Sequence, residues 1–200
     1  MKIDDLTYEQ VIEKAQRDAE NLLSTLNVDD EYPDVIEIAH AMGYKVMSAK
    51  SNNIVCRSVE NDINSRNKDD GKMLIITTVK NHPMTDRVGN LLFNRKVEIL
   101  YVIARCHLLV NSGAGVDYEF FEPEEKRNSY IMPDTNEEIY AKEFAESILV
   151  SKHYLSSWLK ELRYRYGKSF PNLAINNIAD NYKTSPTFIK KRMQQYGLEY

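Results

Sequence analysis

The amino-acid sequence predicts an α+β fold that is mainly helical, with a small β-sheet and a C-terminal segment of helix-turn-helix type. Apolar residues recur with the spacing of an amphipathic helix from about residue 7 to residue 26. The run at 73–79 is apolar and β-branched, which is typical of a buried strand. Near the C-terminus, two short helical patterns are separated by a brief turn. The 200 residues are enough for one domain, or for one domain with a small appendage.

The other elements follow from the same kinds of pattern. Pro33 fits the first turn of a second helix, and Gly43 is placed to end that helix. A polar stretch at 50–71 and an acidic stretch at 116–136 predict loops. The predicted elements in chain order are helices at 7–26 and 33–42, strands at 44–47 and 73–79, and helices at 87–110, 136–150, 151–166, 173–182 and 187–196.

The composition excludes several classes of protein. No apolar run approaches the roughly 20 residues that a membrane-spanning helix needs. The first residues lack the basic start and the apolar stretch of a signal peptide. The two cysteines, Cys56 and Cys106, form no CxxC motif and indicate no disulfide framework. We therefore expect a cytoplasmic protein with no membrane partner.

Charge is divided unevenly along the chain. Residues 152–200 carry nine Lys or Arg residues and three acidic residues, which gives a net charge of +6. The preceding residues carry 17 basic and 27 acidic residues, which gives −10. The basic segment could therefore face an anionic partner, or the two regions could attract each other within one molecule.

Two segments carry a resemblance to a known family. The first is Ala39–Val46, which reads AHAMGYKV, and the second is Glu138–Ser151, which reads EIYAKEFAESILVS. With the order of the predicted elements, these segments resemble the ImmA/IrrE family of bacterial and phage metallopeptidases. The resemblance implies a zincin-like, peptidase-derived domain at residues 1–151, followed by a basic helix-turn-helix-like segment at residues 152–200.

The resemblance places the family's zinc-binding HExxH motif on the predicted helix at 87–110. Such a motif works because its two histidines lie one turn apart and hold one zinc ion, while the Glu acts on the zinc-bound water. Here Ile103 and Ala104 replace the first His and the Glu, so that only His107 remains. The family's third ligand maps to Glu138. We therefore predict no catalytic residue, no expected cofactor, and only a vestigial metal site at His107 and Glu138.

The C-terminal segment has the outline of a DNA-binding motif. Ser185 and Pro186 are a typical helix start, and a short helix and a turn precede them. The side chains predicted to approach nucleic acid are those of Thr187, Lys190, Lys191, Arg192 and Gln194. The alternative is a small helical cap that packs on the first domain and touches a protein partner.

Three functions remain open. The first is a catalytically inactive regulatory module that binds a protein, such as a helix-turn-helix repressor of a phage or mobile element. The second is an active zinc endopeptidase with relocated ligands, for example His82, His107 and Glu138, that cleaves a repressor. The third is a DNA-binding regulator that acts through its C-terminal segment.

Overall fold

The structure of the chain is a computed structural model. The described residues are 3–28, 33–42, 44–50, 55–59, 72–78, 93–111, 118–121, 135–167 and 171–198. The backbone alone is described at 45–50, 55–59, 72–78, 94–95, 106–111, 118–121 and 171–173.

The described ranges contain seven α-helices and four strands. A 3₁₀ turn at Ile3–Asp5 precedes the first helix. The helices are α1 (Tyr8–Thr25), α2 (Val35–Ala41), α3 (Phe93–Asn111), α4 (Asn136–Leu149), α5 (Lys152–Tyr166), α6 (Pro171–Asn181) and α7 (Pro186–Gln195). The strands are β1 (Tyr44–Lys50), β2 (Val55–Val59), β3 (Lys72–Thr78) and β4 (Tyr118–Phe121). Their backbones pair in the order β1-β3-β2-β4, with β1 parallel to β3, and with β2 antiparallel to both β3 and β4.

Polar side chains fix where many of these helices begin. In each case the side chain accepts a hydrogen bond from a backbone N–H of the first turn, which has no partner within the helix. The capping residues are Thr7 for α1, Asp34 for α2, Thr135 for α4, Ser151 for α5 and Ser185 for α7. The starts of these helices are therefore encoded locally, by the residue that precedes each one.

Helix α4 lies at the centre of the described core. Nine of its 14 residues are buried, and it contacts both α1 and α3. Helix α1 presents Val11, Ala15 and Ala19 to the interior. The two alanines leave room for the helix backbones to lie close together. On the other side, α3 buries every residue from Ile99 to Ala104.

The predicted fold class, an α+β protein with a zincin-like core on a small β-sheet, is wrong. Among the residues whose side chains are described, about 82% are helical, and no zincin-type sheet is seen in this core. The buried side chains lie on helices or directly next to them, apart from Tyr44 at the start of β1. The apolar run at 73–79 favoured a sheet at the centre. Instead, the described helices bury their apolar faces against one another.

The C-terminal helices pack against the preceding ones. The ring of Phe188 in α7 meets the ring of Phe93 in α3 edge to face, with 5.2 Å between their centroids. The hydroxyl of Tyr196, which directly follows α7, donates a hydrogen bond to the carbonyl of Val150, at 2.8 Å. Helix α6 contacts α7, and α5 contacts α6. Helix α7 is therefore joined both to α6 and to the end of α4.

Among the helices in the described ranges, none combines the length and the apolar character needed to cross a membrane.

Tyr140 joins α4 to α1 and gives a test of their packing. Its hydroxyl donates a hydrogen bond to the Asp18 carboxylate at 2.9 Å. Burial and the nearby Asp18 raise the pKa of the Tyr140 hydroxyl above its ordinary value. The folded state therefore favours the neutral phenol, so the stability that this group contributes is complete below pH ~10 and is lost as pH rises further.

We expect the Tyr140→Phe variant to lose about 1 kcal/mol of unfolding free energy near neutral pH, because the hydrogen bond is removed. Above pH ~10 the difference from wild type should shrink. Tyr140 then ionises in the unfolded state but not in the folded state, which lowers the unfolding free energy of wild type alone. Urea unfolding on both sides of that pH measures both values. Tyr8→Phe is the control, since Tyr8 is 57% exposed. A constant difference at all pH values would contradict this assignment.

Candidate functional site

The resemblance places the zinc-binding motif on α3, where Ala104 stands at the position of the motif's Glu and offers no proton acceptor. Ile103 and Ala104 lie on α3 and are 0% and 1% exposed. His107 lies on the same helix, in the part for which only the backbone is described. His82, the relocated ligand considered above, lies outside the described residues. The two replaced motif positions therefore belong to the apolar core.

The carboxylate predicted as the third zinc ligand is engaged by an arginine. Glu138 lies 3.5 Å from a guanidinium nitrogen of Arg105, and the adjacent Glu137 lies 3.6 Å from another. Glu138 also accepts a hydrogen bond from the backbone N–H of Thr135, which closes a capping box at the start of α4. To bind a metal ion, Glu138 would have to give up a positive partner that is only 13% exposed at its side chain. Within the described part of the chain, no cluster of three or more His, Cys, Asp or Glu residues is arranged to hold a metal ion.

The other candidate site is the pair of helices α6 and α7. The turn between them spans residues 182–185 and includes Lys183, whose φ of 52° lies in the left-handed region. The hydroxyl of Ser185 accepts a hydrogen bond from the N–H of Phe188 at 3.1 Å, and Pro186 occupies the first turn. Two helices joined by a turn of this length have the form of a helix-turn-helix unit.

Most of the predicted contact residues lie on the outer face of α7. Thr187, Lys191 and Gln194 are exposed, and Lys190 is half-buried. We call these four residues the α7 outer face. Lys191 also lies near Lys142 of α4, and burial together with this neighbouring charge lowers the pKa of Lys142. The outer face therefore brings hydroxyl, amide and ammonium groups together on one short helix.

Arg192 is not part of this outer face, although it was predicted to contact nucleic acid. Its side chain is 0% exposed, and its guanidinium lies 2.6 Å from Glu143 and 3.7 Å from Glu146, both on α4. A side chain held in this way cannot reach a phosphate. Its position follows from helical spacing, because Ile189, Arg192 and Met193 all lie on the buried face of α7.

Glu143 is the centre of a buried polar cluster that joins three helices. It accepts hydrogen bonds from Arg192 and Gln195 at the C-terminal end of the chain. It also accepts a hydrogen bond from Gln16 of α1 at 2.9 Å and one from Ser147 of α4 at 3.2 Å. The carboxylate is 3% exposed, so these partners replace the water that it loses on folding.

The cluster shifts the pKa values of Arg192 and Tyr196. Burial alone would lower the pKa of Arg192, but Tyr196 and the carboxylates of Glu143 and Glu146 hold that pKa above its ordinary value. Burial raises the pKa of the Tyr196 hydroxyl, an effect that the neighbouring Arg192 opposes. The hydroxyl also accepts a hydrogen bond from Arg192, whose guanidinium carbon lies 4.4 Å from the centre of the Tyr196 ring. The guanidinium therefore stays charged inside the protein.

Sequence reasoning missed this cluster, although one signal could have revealed part of it. Ile189, Arg192, Met193 and Tyr196 have the i, i+3, i+4, i+7 spacing of a single helix face, and three of these four residues are apolar or aromatic. That spacing places Arg192 inward. Its partner Glu143 could not be found in the same way, because the contact joins residues 49 positions apart.

No known family model and no curated protein matches this sequence.

The pairing of Arg192 with Glu143 can be measured by a double-mutant cycle. We expect Arg192→Met to cost about 3–5 kcal/mol of unfolding free energy, because it leaves buried carboxylates without their cation. The combination with Glu143→Gln should cost clearly less than the sum of the two single changes, since the uncompensated charge on Glu143 is then removed. Chemical denaturation gives the four values, and Lys191→Met on the exposed face is the control. Additive losses would show that the two side chains do not interact.

Proposed function

We propose that this protein is a regulator that binds duplex DNA through the α7 outer face. The observation that carries the proposal is the division of α7 into two faces. One face is held against α4 by the buried Arg192, and the opposite face leaves Thr187, Lys191 and Gln194 exposed. In a helix-turn-helix unit, the second helix enters the major groove with its N-terminal residues at the base edges.

The chemistry of the α7 outer face suits a duplex. Gln194 can donate to and accept from adenine, and Lys190 or Lys191 can bind guanine or phosphate. Thr187 lies in the first turn of α7, the part of a recognition helix that approaches DNA most closely. The segment at 152–200 carries a net charge of +6, which favours association with a polyanion.

Lys191→Glu tests this proposal. We expect it to weaken duplex binding about tenfold or more at low salt, because one favourable phosphate or base contact becomes repulsive. The change should also reduce the slope of log affinity against log salt concentration by about one. Fluorescence anisotropy with a labelled duplex measures both quantities. Arg17→Glu on α1 is the matched control, since it reverses one charge at an exposed side chain outside the C-terminal segment. Equal losses in the two variants, or no duplex binding by wild type, would reject the proposal.

A second candidate function is a catalytically inactive, protein-binding module. The observation that favours its lack of catalysis is the pairing of Glu137 and Glu138 with Arg105, next to the buried Ile103 and Ala104. A protein partner, such as a helix-turn-helix repressor, is what the family resemblance implies. This module and DNA binding through α7 are compatible in one regulator.

The inactive module is tested by elemental analysis of the tag-free protein after exposure to zinc. We expect far less than one zinc ion per chain, because a carboxylate already paired with a guanidinium is a poor ligand. His107→Ala should therefore change the zinc content little. Stoichiometric zinc that disappears in the His107→Ala variant would instead favour an active peptidase with relocated ligands.

A further inference from the structure

The C-terminal end of α5 exposes an unusual set of side chains that the proposed function does not use. Tyr164 is 92% exposed and Tyr166 is 49% exposed, whereas the inward residues of the same helix are buried. Three basic side chains at the same end of the helix are also exposed. We call this set the α5 tip, and it consists of Lys160, Arg163, Tyr164, Arg165 and Tyr166.

Helical spacing gives each tyrosine a basic neighbour. Lys160 and Tyr164 are four residues apart, and Arg163 and Tyr166 are three residues apart, so each pair shares one side of the helix. Arg165 forms an ion pair with Glu161 at the surface. Such exposed pairs contribute little and exchange readily for another anion. The α5 tip thus contains the same arrangement twice: an exposed tyrosine ring beside a basic side chain.

This repeated arrangement matches the chemistry of a nucleotide whose base is unpaired. A flat ring can stack on the face of a base, while the neighbouring cation can bind a phosphate. In a duplex the faces of the bases are already covered by stacking, so an exposed tyrosine gains such a contact only with an unpaired base. The stretch at 160–166 holds three basic residues and one acidic residue, which favours a polyanion.

We propose that the α5 tip binds single-stranded nucleic acid, with Tyr164 and Tyr166 stacking on unpaired bases and the adjacent basic side chains binding phosphates. The residues are distinct from the α7 outer face. Helix α5 is capped by Gly167, whose φ of 59° lies in the left-handed region. The α5 tip therefore provides a second nucleic-acid contact that does not depend on duplex binding by α7.

The chain carries its own reporter for this site. Trp158 is the single tryptophan of the sequence, and it is half-buried on α5, two turns before the end of the helix. An oligonucleotide bound at the α5 tip should change the fluorescence of Trp158. Titration with oligothymidylate at low salt then gives an affinity for a strand that forms no duplex.

The decisive variants change the rings alone. We expect Tyr164→Ala with Tyr166→Ala to weaken oligothymidylate binding by roughly tenfold or more, since base stacking on each ring is lost. Replacing both with Phe should retain most of the affinity, because Phe stacks as well. Tyr8→Ala, at a tyrosine that is 57% exposed on α1, should leave the affinity unchanged. The melting temperature should stay the same in every variant, because these rings contribute little to the core.

A parallel titration with a duplex separates the two proposals. Loss of oligothymidylate binding in the Tyr164→Ala, Tyr166→Ala variant, with duplex binding retained, supports the α5 tip as a single-strand site. The proposal is overturned if the Ala and wild-type proteins bind oligothymidylate equally, or if wild type does not bind it at low salt. It is also overturned if polyglutamate binds as tightly as the oligonucleotide, since the surface would then select acidic protein segments by charge alone.

Discussion

The ion pair between Arg192 and Glu143 is the constraint on which the C-terminal half of the structure depends. Both side chains are almost completely buried, and their charged atoms lie 2.6 Å apart. A buried ion pair adds little to stability compared with apolar residues of the same size, but an arrangement that separates the two charges is strongly disfavoured. The pair therefore fixes how α7 lies on α4. Through the hydrogen bond from Gln16 to Glu143, it also ties α1 to the same arrangement.

Helix α4 forms ion pairs with arginines of neighbouring helices at two places along its length. Its first turn offers Glu137 and Glu138 to Arg105 of α3, and its middle offers Glu143 and Glu146 to Arg192. In both places two carboxylates face one guanidinium, whose several N–H groups can serve two acceptors at once. The acidic residues of α4 thus hold neighbouring helices in place. The same packing turns the opposite side of α7, with the exposed Lys191, toward solvent.

Local patterns predicted the helices better than they predicted the fold. Helix α1 was expected at 7–26 and lies at Tyr8–Thr25, because its apolar spacing and the Thr7 cap are both contained in the segment itself. Ser185 and Pro186 likewise marked the start of α7. The zincin-like core on a β-sheet was wrong, because that expectation depended on how separate segments pack together. No local pattern specified that α1, α3 and α4 would bury their apolar faces against one another.

The sequence by itself determined the starts of α1, α4, α5 and α7 and the basic character of the C-terminal segment, since each of these depends on neighbouring residues. It also placed Thr187, Lys190 and Lys191 together, because one turn of helix brings them onto one side. Only the tertiary structure decided that Arg192 faces inward to Glu143, that Arg105 holds Glu138, and that the rings of the α5 tip stay uncovered. The reason is that burial and ion pairing depend on segments far apart in the chain, and these meet only after folding.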